Sequence, residues 1–404
     1  MARTPLEGIR IADFTWAWAG PYATMMLGFM GAEVIKIESR KRPDHSRMRS
    51  LAAGPTFGGP DQAPIFNDLN LNKMSVTLDM TQPKAVELGK RVVSISDVVV
   101  ENFRPGVMDK LGLGYEALKE VKPDIIMLSS SAVGGIGPDR QYVGYAPTFS
   151  ALGGLAHLTG YPDGPPIPLM GSSDLRSAAT STFAILTALY YRAQTGEGQH
   201  IDLSSTETIA VLIGEAFLEY TMNNRVPFRE GNRDGIMAPH NCYPCQGDSN
   251  WVSIAVATEE EWQALCHAIG NPHWVSDAKF ADAYRRWQNQ EELDKLIGEW
   301  TINYTHREVM EMLQKAGVAA VPSLSGLELW EDPHLRERVF AKEVQHPAIG
   351  KRIVVNAPWK FSATPAQVSR YGPLLGEHNE YVFGELLGMP KEEIQRLMEE
   401  GVID

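Results

Sequence analysis

Asp174 stands where a carboxylate could act as a nucleophile. It follows Ile167-Pro168-Leu169-Met170-Gly171-Ser172-Ser173 and precedes a mostly apolar run from Leu175 to Tyr191. Pro and Gly interrupt structure before it. The Ala, Leu, Ile and Thr content after it predicts a helix of about five turns. An acid at the mouth of such a helix meets unpaired backbone N–H groups and the positive end of the helix dipole, which keep it ionised. In that state it can attack a carbonyl carbon with no base to activate it. The same position suits an Asp that only caps the helix, and from this stretch alone capping is the simpler role.

Other residues suggest a ligand for that acid to act on. Arg40-Lys41-Arg42-Pro43-Asp44-His45-Ser46-Arg47-Met48-Arg49 puts five basic residues after a predicted strand. Arg and Lys at a strand end suit phosphate groups, although most charge runs are simply solvated. Asn70-Leu71-Asn72-Lys73 could hold a phosphate or an adenine, or form a plain turn. In Glu101-Asn102-Phe103-Arg104-Pro105-Gly106, Phe103 could cover a flat base and Arg104 could reach a phosphate, or Pro and Gly could merely close a turn. Cys242 and Cys245 form the one Cys-x-x-Cys pair. A structural zinc site needs four ligands, and the chain has only three Cys in all, so the pair reads as structural and no metal is expected. His157 and His240 fall in loops and read as peripheral. No Gly-rich dinucleotide fingerprint follows the first strand, where Thr15-Trp16-Ala17-Trp18-Ala19-Gly20-Pro21 stands instead. Walker and Gly-x-Ser-x-Gly motifs are also missing.

The elements that must position these residues alternate. Strands are predicted at 9–14, 33–38, 76–78, 97–102 and 124–130, with helices at 21–29, 83–93 and 107–119 between them. Alternation with short connections implies parallel strands joined by right-handed crossovers, a Rossmann-like doubly wound α/β sheet. Residues 134–168 are rich in Gly and Pro and read as a long functional loop containing Tyr145. A strand at 199–203 and a helix at 206–222 complete the large domain, residues 1–225. A different pattern begins at Trp251, one strong strand followed by helices, and gives a smaller α+β domain over 226–320. Residues 321–404 are expected to return to the large domain.

At 404 residues the chain has room for two or three domains of ~150 residues. A net charge of −13 argues against nucleic acid or an anionic membrane as partner. The sparse, odd Cys count suits a reducing cytoplasm, and no stretch reads as a signal peptide or a membrane span.

In order and spacing, these segments resemble the class III CoA-transferases, the family of formyl-CoA transferase and carnitine CoA-transferase. The marks are Asp13-Phe14-Thr15 with Ala19-Gly20-Pro21, then Gly31-Ala-Glu-Val-Ile-Lys-Ile-Glu38, Asn72-Lys73, Val100 to Gly106 with Leu111-Gly112, Thr195-Gly-Glu-Gly-Gln199 and Pro373-Leu-Leu-Gly-Glu-His378. They span nearly the whole chain. The resemblance implies that Asp174 is the family's nucleophile. It also implies that coenzyme A lies along the large domain against Arg40, Asn72, Lys73, Asn102, Phe103, Arg104 and Lys110, with the backbone at Trp18 and Ala19 lining the acyl site. Two subunits would interlock like links of a chain, as a homodimer or with a related subunit. The implied reaction moves CoA from an acyl-CoA, such as succinyl-CoA, to a free carboxylic acid through an aspartyl anhydride and an aspartyl-CoA thioester. Formyl-CoA transferase has Gln where this chain has Trp18, and Glu where it has Ala146. A bulkier, less polar acid is therefore expected, with Trp16, Trp18 and Tyr145 at the substrate, similar to transferases of aromatic succinates such as benzylsuccinate CoA-transferase. The racemase branch has His where this chain has Tyr145, so an α-methylacyl-CoA racemase is disfavoured. A non-catalytic CoA-binding subunit is the third reading, and the acid at 174 argues against it.

Overall fold

Short runs of largely buried residues, Val and Ile prominent among them, build a parallel sheet in the computed structural model, which describes residues 4–48, 58–169 and 171–404. Arg49 of the basic run and Met170 before the nucleophile lie outside them. The strands are β1 (Arg10–Asp13), β2 (Glu33–Glu38), β3 (Lys73–Thr77), β4 (Val98–Glu101), β5 (Ile126–Ser131) and β6 (His200–Ser204). They pair in parallel in the order β3-β2-β1-β4-β5-β6. The doubly wound α/β expectation holds. Both faces are covered, so the strands read as near-continuous apolar runs. Val98, Val99 and Val100 are all fully buried.

Contacts divide the chain into two units, Met1–Ala156 with Pro168–Arg225 and His334–Asp404, and His157–Ile167 with Val226–Pro333. In the first, the Ala19–Phe29 helix packs against the long Ser172–Thr195 helix. A hairpin of β10 (Ala341–His346) and β11 (Gly350–Val355) also belongs to this unit and was not foreseen. Distant segments close the sheet's far edge: Thr77 N–H donates to Asn379 Oδ1 (2.9 Å), Ser39 Oγ to Asp404 Oδ2 (2.6 Å) and Arg47 to the Pro373 carbonyl (3.2 Å).

The second unit holds an antiparallel sheet, β7 (His240–Pro244), β8 (Trp251–Ala255) and β9 (Ala319–Pro322), in that order. Its helices at Glu259–Ala268 and His306–Lys315 each start with a capping box, Thr258 with Glu261 and Thr305 with Glu308. Cys242 Sγ lies 3.2 Å from Ser253 Oγ on the neighbouring strand, and burial pushes the Cys245 thiol up to about 11.

Two local expectations fail. Residues 107–119 are not one helix but Val107–Lys110 and Tyr115–Val121, because Gly112 turns the chain at φ +73°. The 134–168 stretch contains helices at Ala146–Leu152 and Leu155–Leu158. The first begins where Tyr145 N–H donates to Thr148 Oγ1 (2.8 Å). Among the described residues no helix is long and apolar enough to cross a membrane.

Candidate active site

In a sheet ordered 3-2-1-4-5-6, connections from β1 and β4 leave in opposite directions, and a crevice opens beyond their carboxyl ends. Two turns meet there. After β1 the chain runs Phe14-Thr15-Trp16-Ala17-Trp18 into the Ala19–Phe29 helix. After β4 it runs Asn102-Phe103-Arg104. The Asn102 side chain joins them, accepting from Trp16 N–H (2.7 Å) and donating to the Trp16 carbonyl (2.8 Å). The Trp16 ring meets the Phe103 ring edge-on at 5.4 Å. The Arg42 guanidinium lies 5.0 Å over Trp16, a distance at which a cation is drawn to the ring face. His45 continues the row, 6.4 Å from Trp16 and 6.3 Å from Tyr145. Three expected site residues, Trp16, Phe103 and Tyr145, are thus gathered, with Arg42 and His45 between them. The basic run contained both of these, but composition alone gave no reason to single them out.

Trp18 faces elsewhere. With Tyr22, Met25 and Phe29 from its helix, and with Leu175, Phe340 and Val355, it lines a cavity of ≈ 420 Å³. The wall is mainly apolar, and Asp68, Arg338 and Lys360 supply charge. Leu175, the residue after Asp174, is on that wall, although Asp174 itself does not line the cavity. Gly171, at φ +76°, caps the 172–195 helix, and Asp174 is the third residue of its first turn. Capping is therefore not the role of Asp174. Its carboxylate has no hydrogen-bond partner among the described residues. Burial pushes its pKa up to about 6. At pH 7 the group is still mostly ionised, and it is more basic than a free carboxylate.

The other expected contacts divide by burial. Arg104 and Lys110 are exposed without ion pairs among the described residues. Arg40 is also exposed, and its guanidinium donates to the Leu375 carbonyl (2.9 Å). Ala19 opens its helix, half-buried. Lys73 is fully buried, and Nζ donates to Asp13 Oδ2, the Pro21 carbonyl and Asn70 Oδ1, each at 2.9 Å. All three of its protons are committed inside the protein. Burial lowers the Lys73 pKa to about 8 despite Asp13. Asn72, at φ +64°, spends its amide on the Gly28 and Gln367 carbonyls and on Ser369 and Arg370 N–H. Asn72 ties the sheet to the 367–370 segment, and Lys73 ties it to Asp13. Among the described residues no His, Cys, Asp or Glu cluster could hold a metal.

The model of CoA-transferase family III matches residues 6–379. The chain is 34% identical over 402 residues to succinyl-CoA–D-citramalate CoA-transferase of Chloroflexus aurantiacus, a match covering 99% of this chain and 98% of that protein. It is 33% identical over 404 residues to the succinyl-CoA–L-malate CoA-transferase beta subunit of the same organism, covering 99% and 98%. A solved CAIB/BAIF family protein from Brucella suis superposes with a TM-score of 0.85 at 29% identity, over 95% of this chain and 100% of that one.

Proposed function

The chain belongs to CoA-transferase family III, and on that premise we propose that Asp174 carries the acyl group while CoA moves from succinyl-CoA to a bulky carboxylic acid. The donor follows the relatives, whose names specify succinyl-CoA. One observation carries the assignment: a half-buried carboxylate with no hydrogen-bond partner among the described residues, made basic by burial, one residue before Leu175 on the wall of a largely apolar cavity.

The steps balance. An Asp174 oxygen attacks the thioester carbonyl, and CoA leaves as a thiolate, giving a mixed anhydride. The thiolate attacks the aspartyl carbonyl, which expels the donor acid and leaves an aspartyl-CoA thioester. The acceptor carboxylate attacks that thioester and releases the thiolate again. The thiolate then takes the new acyl group and frees Asp174. Thioester energy is conserved through two covalent forms. Backbone N–H groups in the unpaired first turn of the helix supply oxyanion stabilisation. Arg104 and Lys110, without ion pairs among the described residues, and Arg40, held by the Leu375 carbonyl, are the cations for the CoA phosphates, and Phe103 with Trp16 offers ring faces.

The acceptor pocket favours an apolar body with an anionic end. Trp18, Tyr22 and Phe340 supply the first, Arg338 and Lys360 the second, and benzylsuccinate has that form. A second subunit, identical or related, would cover the exposed Phe183, Tyr190, Phe217, Leu218 and Met222. The test is incubation with succinyl-CoA alone, then hydroxylamine and mass mapping. A hydroxamate on Asp174 is expected. Full CoA exchange by an Asp174→Ala variant defeats the assignment.

A further inference from the structure

The Thr15–Trp18 turn is held more firmly than a connection needs to be. Ala17 adopts φ +70°, a left-handed conformation that costs a residue with a Cβ. Its N–H donates to Asp44 Oδ1 (3.0 Å). Lys36 Nζ donates to the Thr15 carbonyl (2.6 Å) and lies 3.1 Å from Asp44 Oδ2. Thr15 N–H donates to Asp13 Oδ1 (2.9 Å). Lys36 and Asp44 have no exposed side-chain surface. Beneath them Arg47 forks onto both Glu38 oxygens, each at 2.8 Å, and Asp13 pairs with Lys73. The turn also folds tightly on itself, since a Cβ at Gly20 would lie 2.5 Å from Thr15 Cβ.

Buried ion pairs are a poor means of gaining stability, because well-packed apolar residues of similar volume do as well or better. What these ions do uniquely is grip two residues, Thr15 and Ala17, of one strained turn. That turn sends Trp16 to the ring cluster with Phe103 and His45, and Trp18 to the cavity beside Leu175. We propose that Lys36 and Asp44 are positioning residues for the transfer reaction, clamping the Ala17 turn so that Trp16 and Trp18 stay fixed on the two sides of the acyl site. This rests on the reading that the acyl group is handled at Asp174.

Ala17→Gly tests it without disturbing any ion. Glycine adopts φ +70° without strain, so the melting temperature should stay level or rise. The turn then gains freedom, and kcat should fall on the order of tenfold or more, as small misplacements of reacting groups do, with the donor KM little changed. Asp44→Asn keeps an oxygen for Ala17 N–H but removes the charge facing Lys36. It should show the same kcat loss and a weakened preference for bulky over small acceptors. If Asp44→Asn does not fold, Ala17→Gly decides alone. A folded Ala17→Gly enzyme with unchanged kcat and acceptor preference overturns the clamp. The rate of Asp174 hydroxamate formation, measured alongside, separates the two readings: no adduct in the unaltered enzyme counts against Asp174, whereas equal adduct rates in enzyme and variant count against the clamp.

Discussion

Lowering the pH should switch off Asp174 well above the range of an ordinary carboxylate. Its pKa is pushed up to about 6 by burial, against 3.8 for a free side chain. A group with that pKa is ~91 % ionised at pH 7 and ~9 % at pH 5, so a rate proportional to carboxylate falls roughly tenfold. An acid at 3.8 would lose only about 6 % over the same interval. The assay is kcat/KM for the donor between pH 5 and 8, which reports ionisations of the free enzyme and free donor. Three other groups titrate nearby and must be removed. Asp68, on the wall of the cavity, is also pushed up to about 6 by burial, so the profile is repeated in Asp68→Asn. The 3′-phosphate of CoA is a monoester with a second pKa of about 6, so the profile is repeated with a 3′-dephospho-CoA thioester. Glu101, whose carboxylate accepts Phe103 N–H (2.7 Å), is pushed up to about 7 chiefly by burial, so the profile is repeated in Glu101→Gln. A step near pH 6 that survives all three controls is the expected result. A flat profile from pH 5 to 7, or a step that vanishes with the dephospho donor, refutes the assignment of a desolvated nucleophile.

Trp18→Gln should lower kcat/KM for a bulky aromatic acid and spare a small dicarboxylate; equal ratios before and after would show that Trp18 does not read size. Lys73→Met leaves Asp13 buried without its ion pair and should cost about 3–5 kcal/mol in denaturant unfolding; a loss under 1 kcal/mol would show that water reaches Asp13. Glu101 makes a signed prediction about stability. Its folded pKa of about 7 exceeds the ordinary 4.5, so the native state holds the proton longer than the unfolded chain. Stability should fall as pH rises from about 4.5 to about 7, by about 3 kcal/mol in all from this group, and Glu101→Gln should flatten that slope. An identical slope in Glu101→Gln would place its origin elsewhere.

The alternation of strands and helices was legible because apolar periodicity is local, and β2 was read to the residue. What that strand buries was not legible. Lys36 and Glu38 look like the polar positions of a half-exposed strand, yet both are interior because Asp44 and Arg47 neutralise them. Asn72 and Lys73 looked like ligand contacts for the same reason. Their partners lie up to about three hundred residues away, and no local pattern encodes such pairs. Trp16, Phe103 and Tyr145 were chosen by type and by resemblance, and the fold brings them to one place. Arg42 and His45 could have been chosen only by knowing that their loop turns back over Trp16.

The long-range ties at Ser39, Arg47 and Thr77 bear on how the protein comes into being. Each joins the first hundred residues to partners at 373, 379 or 404. A ribosome therefore releases the early strands long before the groups that finish their outer edge exist. Contacts so distant in sequence slow folding and lengthen the exposure of unfinished edges. The ties at that outer edge form only after residues 373 to 404 have been made, and shielding by chaperones should matter most in that interval.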